Sequence, residues 1–380
     1  MDSVRSPTHD ATTYTLEQVQ FVSRHGARTT VTNIPDVHDF PHMEPADWSG
    51  FEVKTSLPHI LKLDNGKELL QSAYDKTMKS RGLLQGGMKV GELTRIGRKQ
   101  ALQLGNMLKK RYQEKNSFLS DVFKSNDISI RSSNIERTIL TALFIIEGLF
   151  GKENIQGEPL EIEVKERDNE TMYPNWYACE ALKEWKSTIN YLNFTPDIAS
   201  FTKECNALIG CESDPIHMVA LDDIIKCRKS HGFRLPKELH GYEEMIGEEA
   251  AETFKTILEG ENRSVGLKRS IGCLLNELCE NMEKVVKGCS EFKLKLFSGH
   301  DTTLLALLLV LSQWFGGCSP SFASHIIFEV YKNQSNGKHY INVIYNGEEL
   351  NFEQQERYLP LTEFLERIKL YRKTSLNAED

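Results

Sequence analysis

The sequence predicts an α/β fold: a mainly parallel central sheet flanked by helices, with an inserted, mostly helical cap domain. Two observations carry that prediction. Three short apolar segments, Val19–Ser23, Ile128–Ile130 and Leu294–Ser298, each turn polar at their ends and run towards a helical stretch. Strands alternating with helices imply βαβ units and a parallel sheet. From about residue 166 to 262, by contrast, the chain is polar, with helical periodicity and no strand-like run. The expected organisation is 1–165 for the first part of the core, including a long insertion at 29–88, 166–262 for the cap, and 263–380 for the second part of the core.

The elements follow in order. Val19-Gln20-Phe21-Val22-Ser23 alternates like a strand and passes straight into Arg24-His25-Gly26-Ala27-Arg28. The 29–88 insertion carries Phe40, Met43, Trp48, Phe51, Leu57, Ile60, Leu61 and Leu63; a loop that long serves a site or is partly folded. Thr94 is a good cap for an amphipathic helix running through Leu102, Leu104 and Met107. Ile128-Ser129-Ile130 ends at Arg131-Ser132-Ser133-Asn134, and a helix follows from Ile135 to Leu149. Helical spacing recurs over 177–191, 219–231, 242–259 and 264–288. Leu294–Ser298 ends at Gly299-His300-Asp301-Thr302-Thr303 before the apolar run Leu304–Leu311. Residues 325–331 and 340–346 alternate as a hairpin around Asn336-Gly337.

Composition narrows the function classes. The 380 residues exceed one typical domain, and 39% hydrophobic with 26% charged residues is ordinary globular usage. A net charge of −8 disfavours a duplex nucleic-acid binder, although it allows a local basic pocket. No apolar stretch approaches the ~20 residues that cross a bilayer, so the chain reads as soluble, with no transmembrane segment. The N-terminal residues show neither a secretory h-region nor a convincing transit peptide, which points to an intracellular compartment. Eight cysteines include no Cys-x-x-Cys pair, and Pro41 separates His38 from His42; no zinc site or other metal and no cofactor is expected. The cysteines read as mostly reduced, with pairing inside 179–227 left open.

In open parallel sheets ligands sit beyond the carboxyl ends of the strands. If the three strands are neighbours, Arg24, His25, Arg28, Arg131, His300 and Asp301 converge on one crevice. Those residue types suit phosphate monoester hydrolysis. The reaction needs a nucleophile, positive charge on the equatorial oxygens and an acid for the leaving oxygen. Neutral imidazole is a competent nucleophile, and the arginine fork pairs bidentately with phosphate. Gly26 permits a sharp bend. Arg131, at a strand end like Arg24, reads as a phosphate ligand. Arg137, inside the next helix, reads as half of a structural ion pair. Trp176 and Tyr177 read equally as packing or as substrate contacts.

Arg24-His25-Gly26-Ala27-Arg28 together with Gly299-His300-Asp301 resembles the acid-phosphatase branch of the histidine phosphatase superfamily. The resemblance takes in Gly91–Gly97, Ile130–Arg137, Tyr173-Pro174-Asn175 and His325–Glu329; Ile130–Ile135 and Tyr173–Asn175 are most like its lysophosphatidate phosphatases. It implies that His25 is phosphorylated, that Arg24, Arg28, Arg131 and His300 hold the phosphate, and that Asp301 protonates the leaving group. It also implies a lysophospholipid substrate, an acyl channel in the 29–88 insertion and a mitochondrial location; the visible N-terminus speaks for the cytoplasm instead. Thr30 stands where many family members carry proline, which changes the pocket rim and weakens a phytase assignment. The alternatives are a broad-specificity acid or inositol-phosphate phosphatase, a phosphomutase of the same superfamily, or a non-catalytic phospholigand-binding scaffold.

Overall fold

The computed structural model describes residues 13–31, 46–53, 57–69, 83–155, 159–188, 196–210, 215–235, 237–312, 317–352 and 358–376. His38, Phe40, His42, Met43 and Cys211 lie outside them; the other seven cysteines are free thiols.

The strands are β1 (Tyr14–Arg24), β2 (His59–Leu63), β3 (Glu68–Leu69), β4 (Ile128–Ser132), β5 (Leu160–Val164), β6 (Leu294–Gly299), β7 (His325–Asn333), β8 (His339–Tyr345), β9 (Glu348–Glu349) and β10 (Leu359–Pro360). They form one ten-stranded sheet in the order β10-β8-β7-β1-β6-β4-β5-β2-β3, with β9 beside β8. β1, β6, β4, β5 and β2 run parallel, while β7, β8 and β10 add an antiparallel edge. The three strands singled out in the sequence are therefore neighbours at the centre. Arg24 lies opposite Gly299, and Ser23 and Ser132 both lie opposite Ser298, so all three strands end at one level.

Helices cover both faces. On one, α1 (Arg95–Lys109) and α2 (Glu136–Phe150) bury Leu104, Leu108, Leu143 and Phe144 against Phe21, Ile130 and Leu296. On the other, α7 (Arg263–Val286), α8 (Asp301–Val310) and α9 (Leu361–Ile368) pack Leu274, Leu304 and Phe364 on Val22, Phe297 and Phe328. Thr94 caps α1, accepting from the Gly97 N–H at 3.4 Å. Between β5 and α7 come α3 (Glu180–Thr188), α4 (Pro196–Ile209), α5 (Met218–His231) and α6 (Glu243–Glu259), with no strand among the described residues of that stretch. Cys205, Ile209, Leu221, Ile225 and Ile246 give it an apolar core of its own.

The sequence reading missed β2, β3, β5, β9, β10, α4 and α9. Pro196 reads as a break, yet it sits at the first position of α4, where proline's missing N–H costs nothing. β2 and β3 lie in the 29–88 insertion, which thus returns to the sheet. Leu57, Leu61 and Leu63 are buried in the main core, and Trp48 packs against Met88, Ala27 and Cys227. These described insertion residues pack into the cores.

Candidate active site

At the carboxyl edge of β1, β6 and β4 a cleft of about 440 Å³ opens between the sheet and α5. Arg24, His25, Arg28, Arg137, His300 and Asp301 line its core side. The loop carrying them is held by close backbone contact. The His25 N–H donates to the Gly299 carbonyl at 3.0 Å, and the Gly26 N–H to Thr141 Oγ1 of α2 at 3.2 Å. A Cβ on Gly26 would lie 2.4 Å from the Gly97 carbonyl oxygen in α1, so only glycine fits that crossing.

His25 is 1% exposed, with Nδ1 2.9 Å from the Gly26 carbonyl oxygen. A carbonyl only accepts, so Nδ1 carries the proton and Nε2 keeps its lone pair. Burial, reinforced by Arg137, Arg28 and Arg24, drives the His25 pKa well below the ordinary histidine value and keeps the ring neutral. The His300 ring stands edge-on to it at 5.5 Å and is likewise held neutral by burial and by Arg137. His300 also precedes α8, its N–H donating to Thr303 Oγ1 at 2.9 Å, while Nε2 lies 2.9 Å from Ser133 Oγ.

Arg24 donates to the Pro320 carbonyl at 2.5 Å and pairs with Asp301 at 2.8 Å, its guanidinium 4.3 Å over the Phe322 ring. Arg28 grips Asp223 of α5 with both terminal nitrogens, at 2.8 and 3.4 Å. Asp223 also accepts from the Val31 N–H at 3.1 Å and from Thr30 Oγ1 at 3.3 Å. The Thr30 hydroxyl thus joins the support of Arg28, as no proline side chain could. Burial alone would raise the Asp301 pKa, but Arg24 and Arg28, then His300 and the Thr302 N–H, hold it down to about 2. With these groups facing it, Asp301 is a carboxylate.

One expectation needs correction. Arg131 does not line the cleft. It lies opposite Phe297 in the sheet register, and side chains alternate between faces, so it is directed to the α7 face. There it bonds Glu277, donates to Thr171 Oγ1 at 2.5 Å and sits 3.6 Å from the buried Glu170. Arg137, read as structural, lines the cleft and bears on both histidines. Its place in the first turn of a helix whose N-terminus faces an anion site is the signal that could have found it. Asp223 was also missed, since nothing local ties a cap aspartate to an arginine far back in the chain.

The opposite wall comes from Tyr173, Pro174, Trp176, Tyr177, Val219 and Phe254, with Lys186 5.1 Å over the Trp176 ring. Asp222, beside Lys226 at 2.5 Å, is pushed by burial up to about 6. A relay joins α5 to the catalytic loop: His231 donates from Nδ1 to the Cys227 carbonyl and accepts at Nε2 from Thr94 Oγ1, both at 2.7 Å, and the Thr94 N–H donates to the Ala27 carbonyl at 3.0 Å.

The histidine phosphatase superfamily (branch 2) profile matches residues 15–209. The chain belongs to that family. It is 30% identical over 367 residues to bovine (Bos taurus) lysophosphatidic acid phosphatase type 6, covering 94% of this chain and 83% of that protein. The Homo sapiens protein of the same name is 29% identical over 368 residues, with the same coverage of 94% and 83%. Rat (Rattus norvegicus) prostatic acid phosphatase is 28% identical over 276 residues, covering 69% of this chain and 71% of its own. Among solved structures, Hafnia alvei phytase in complex with tartrate superposes with a TM-score of 0.67 at 14% identity, over 98% of this chain and all (100%) of that one. The fold is that of the histidine phosphatases, and the chain is an acid phosphatase acting on phosphate monoesters.

Proposed function

We propose that the protein hydrolyses lysophosphatidate or a related lysophospholipid through a phosphohistidine at His25. The observation that carries the reading is a neutral, buried imidazole whose Nε2 lone pair sits among three arginines. Nε2 attacks phosphorus in line and the P–O bond to the alcohol breaks. Arg24, Arg28 and Arg137, with His300, hold the equatorial oxygens as charge develops. As the phosphate competes for Arg24, Asp301 takes up a proton and delivers it to the leaving oxygen. Water then attacks the phosphohistidine, with Asp301 accepting its proton, and inorganic phosphate leaves. Residues 166–262 act as the cap, whose Trp176, Tyr177, Val219 and Phe254 supply an apolar wall for the acyl chain.

The test compares wild type with Asp301→Asn on long-chain lysophosphatidate, its short-chain analogue, an inositol phosphate and p-nitrophenyl phosphate. Wild type should prefer the long chain in kcat/KM. The variant should lose far more on the alkyl phosphates than on p-nitrophenyl phosphate, whose leaving group needs no proton. Absence of chain-length preference removes the lipid assignment; equal losses on all substrates remove the acid role.

A further inference from the structure

A second cavity, of about 510 Å³, lies on the sheet face that carries α1. One wall is the end of α1 (Gln103, Asn106, Met107) with the π-helical turn Lys110–Lys115 that continues it; the other is Ile327 and Ile344 of β7 and β8, with His325 and Gly347. The two walls are fixed to each other by one carboxylate. Glu329 of β7, fully buried, accepts from Arg111 Nε at 2.6 Å and Nη2 at 2.9 Å, and from the Tyr112 hydroxyl at 2.7 Å. Tyr331 and Asn342 donate to its other oxygen at 3.0 and 3.2 Å. The groove is therefore preformed.

Its chemistry has three parts. Isolated π turns recur at functional sites, and in them residues five apart stack; Lys110 and Lys115 accordingly share a side, both exposed and both lining the groove. Arg111 is committed to Glu329, and no carboxylate lines the walls, so the two ammonium groups face a site with no fixed anion among the described residues. Met107, Ile327 and Ile344 supply an apolar floor. His325 is only 8% exposed, its ring stacked on Phe21 at 5.3 Å and its Nδ1 3.5 Å from the Ala323 carbonyl oxygen. Its Nε2 is buried with no protein partner, and burial holds the ring neutral, its pKa about 4. A buried polar atom left unbonded is costly, and a hydrogen-bonding ligand removes that cost.

We propose that this groove binds a single-chain lipid with an anionic head group, separately from the catalytic cleft. The Lys110–Lys115 pair takes the head group, His325 Nε2 accepts from a hydroxyl beside it, and the Met107–Ile327–Ile344 floor takes the start of the chain. The groove's volume falls in the range of small-molecule sites.

The test uses the full chain and calorimetric titration with a non-hydrolysable phosphonate of lysophosphatidate, kept below its micelle threshold. Three proteins are compared: wild type, Lys110→Glu/Lys115→Glu and Arg28→Ala. The groove site should weaken at least ten-fold in the lysine variant and persist in Arg28→Ala. The His325 ring nitrogen resonance should move on binding, and p-nitrophenyl phosphate turnover should be unchanged in the lysine variant. If the cleft takes no lysolipid, wild type shows one site, which the lysine variant still loses; the two readings therefore fail separately. Binding unaffected by the lysine changes, a chainless glycerol phosphonate binding as tightly, or lysine-dependent binding to anionic phospholipid vesicles alone would each overturn the proposal.

Discussion

At the scale of the residue, two arginines six positions apart have opposite fates. Arg131 is 1% exposed and neutralises buried Glu170 and Glu277 on the α7 face, whereas Arg137 lines the cleft. Arg137→Ala should therefore lower kcat/KM on the order of 10³-fold, as loss of other transition-state arginines does, with little change in stability. Arg131→Ala should leave the kcat of folded enzyme within a few-fold but cost ~3–5 kcal/mol in a urea melt, because it strands the buried Glu170. Steady-state kinetics and denaturation on both variants decide it; the reverse pattern restores Arg131 to the site. The sequence could not separate the two. Arg131 lies at the end of β4 and Arg137 in the first turn of the helix that follows, and only the β6 register shows which face Arg131 takes.

At the scale of the element, α1 and the catalytic loop meet through glycine on glycine. A Cβ on Gly97 would lie 2.2 Å from the Ala27 carbonyl oxygen, which also accepts from Thr94. Gly97→Ala must push the loop off α1, at ~1–3 kcal/mol typical of overpacking. The accompanying displacement of Arg28 should lower kcat more than thermal stability alone explains. A variant with unchanged kcat at reduced Tm would mean the loop is positioned elsewhere. Much at this scale was legible in the sequence: the strand-to-helix junctions after β4 and β6, the Thr94 cap, the 264–288 helix and the hairpin around Gly337 all announce themselves by periodicity or turn chemistry, whereas β1 leads into an irregular loop and not into the expected helix. β2 and β5 did not. Each is five residues long, and β2 is recruited by pairing with β5, a contact no local pattern encodes.

At the scale of the whole molecule, the cleft joins groups from both ends of the chain and from the helices between β5 and α7. The sequence motifs identify the core side, but the Arg28–Asp223 grip and the His231 relay arise only when α5 is seated. The same packing buries a set of histidines. Burial lowers the pKa of His25, His217, His231 and His300, and takes His325 to about 4. Below pH ~6.5 the unfolded chain binds protons that the folded chain refuses, so stability falls with pH from there downwards. His325 alone accounts for on the order of 3 kcal/mol between its unfolded value and pH 4, at ~1.4 kcal/mol per unit. Urea unfolding followed from pH 7 to 4 should show that decline, shallower in His325→Phe; a flat profile would mean these rings are solvated.

The proposed mechanism rests on a covalent bond between His25 Nε2 and phosphorus. Enzyme mixed with ³²P-labelled substrate, quenched under alkaline conditions that preserve phosphohistidine and digested, reads it directly. The account predicts label on the peptide carrying His25, none in His25→Ala, and a label that turns over to inorganic phosphate on a chase. Label on another residue, or steady turnover by His25→Ala, would contradict it.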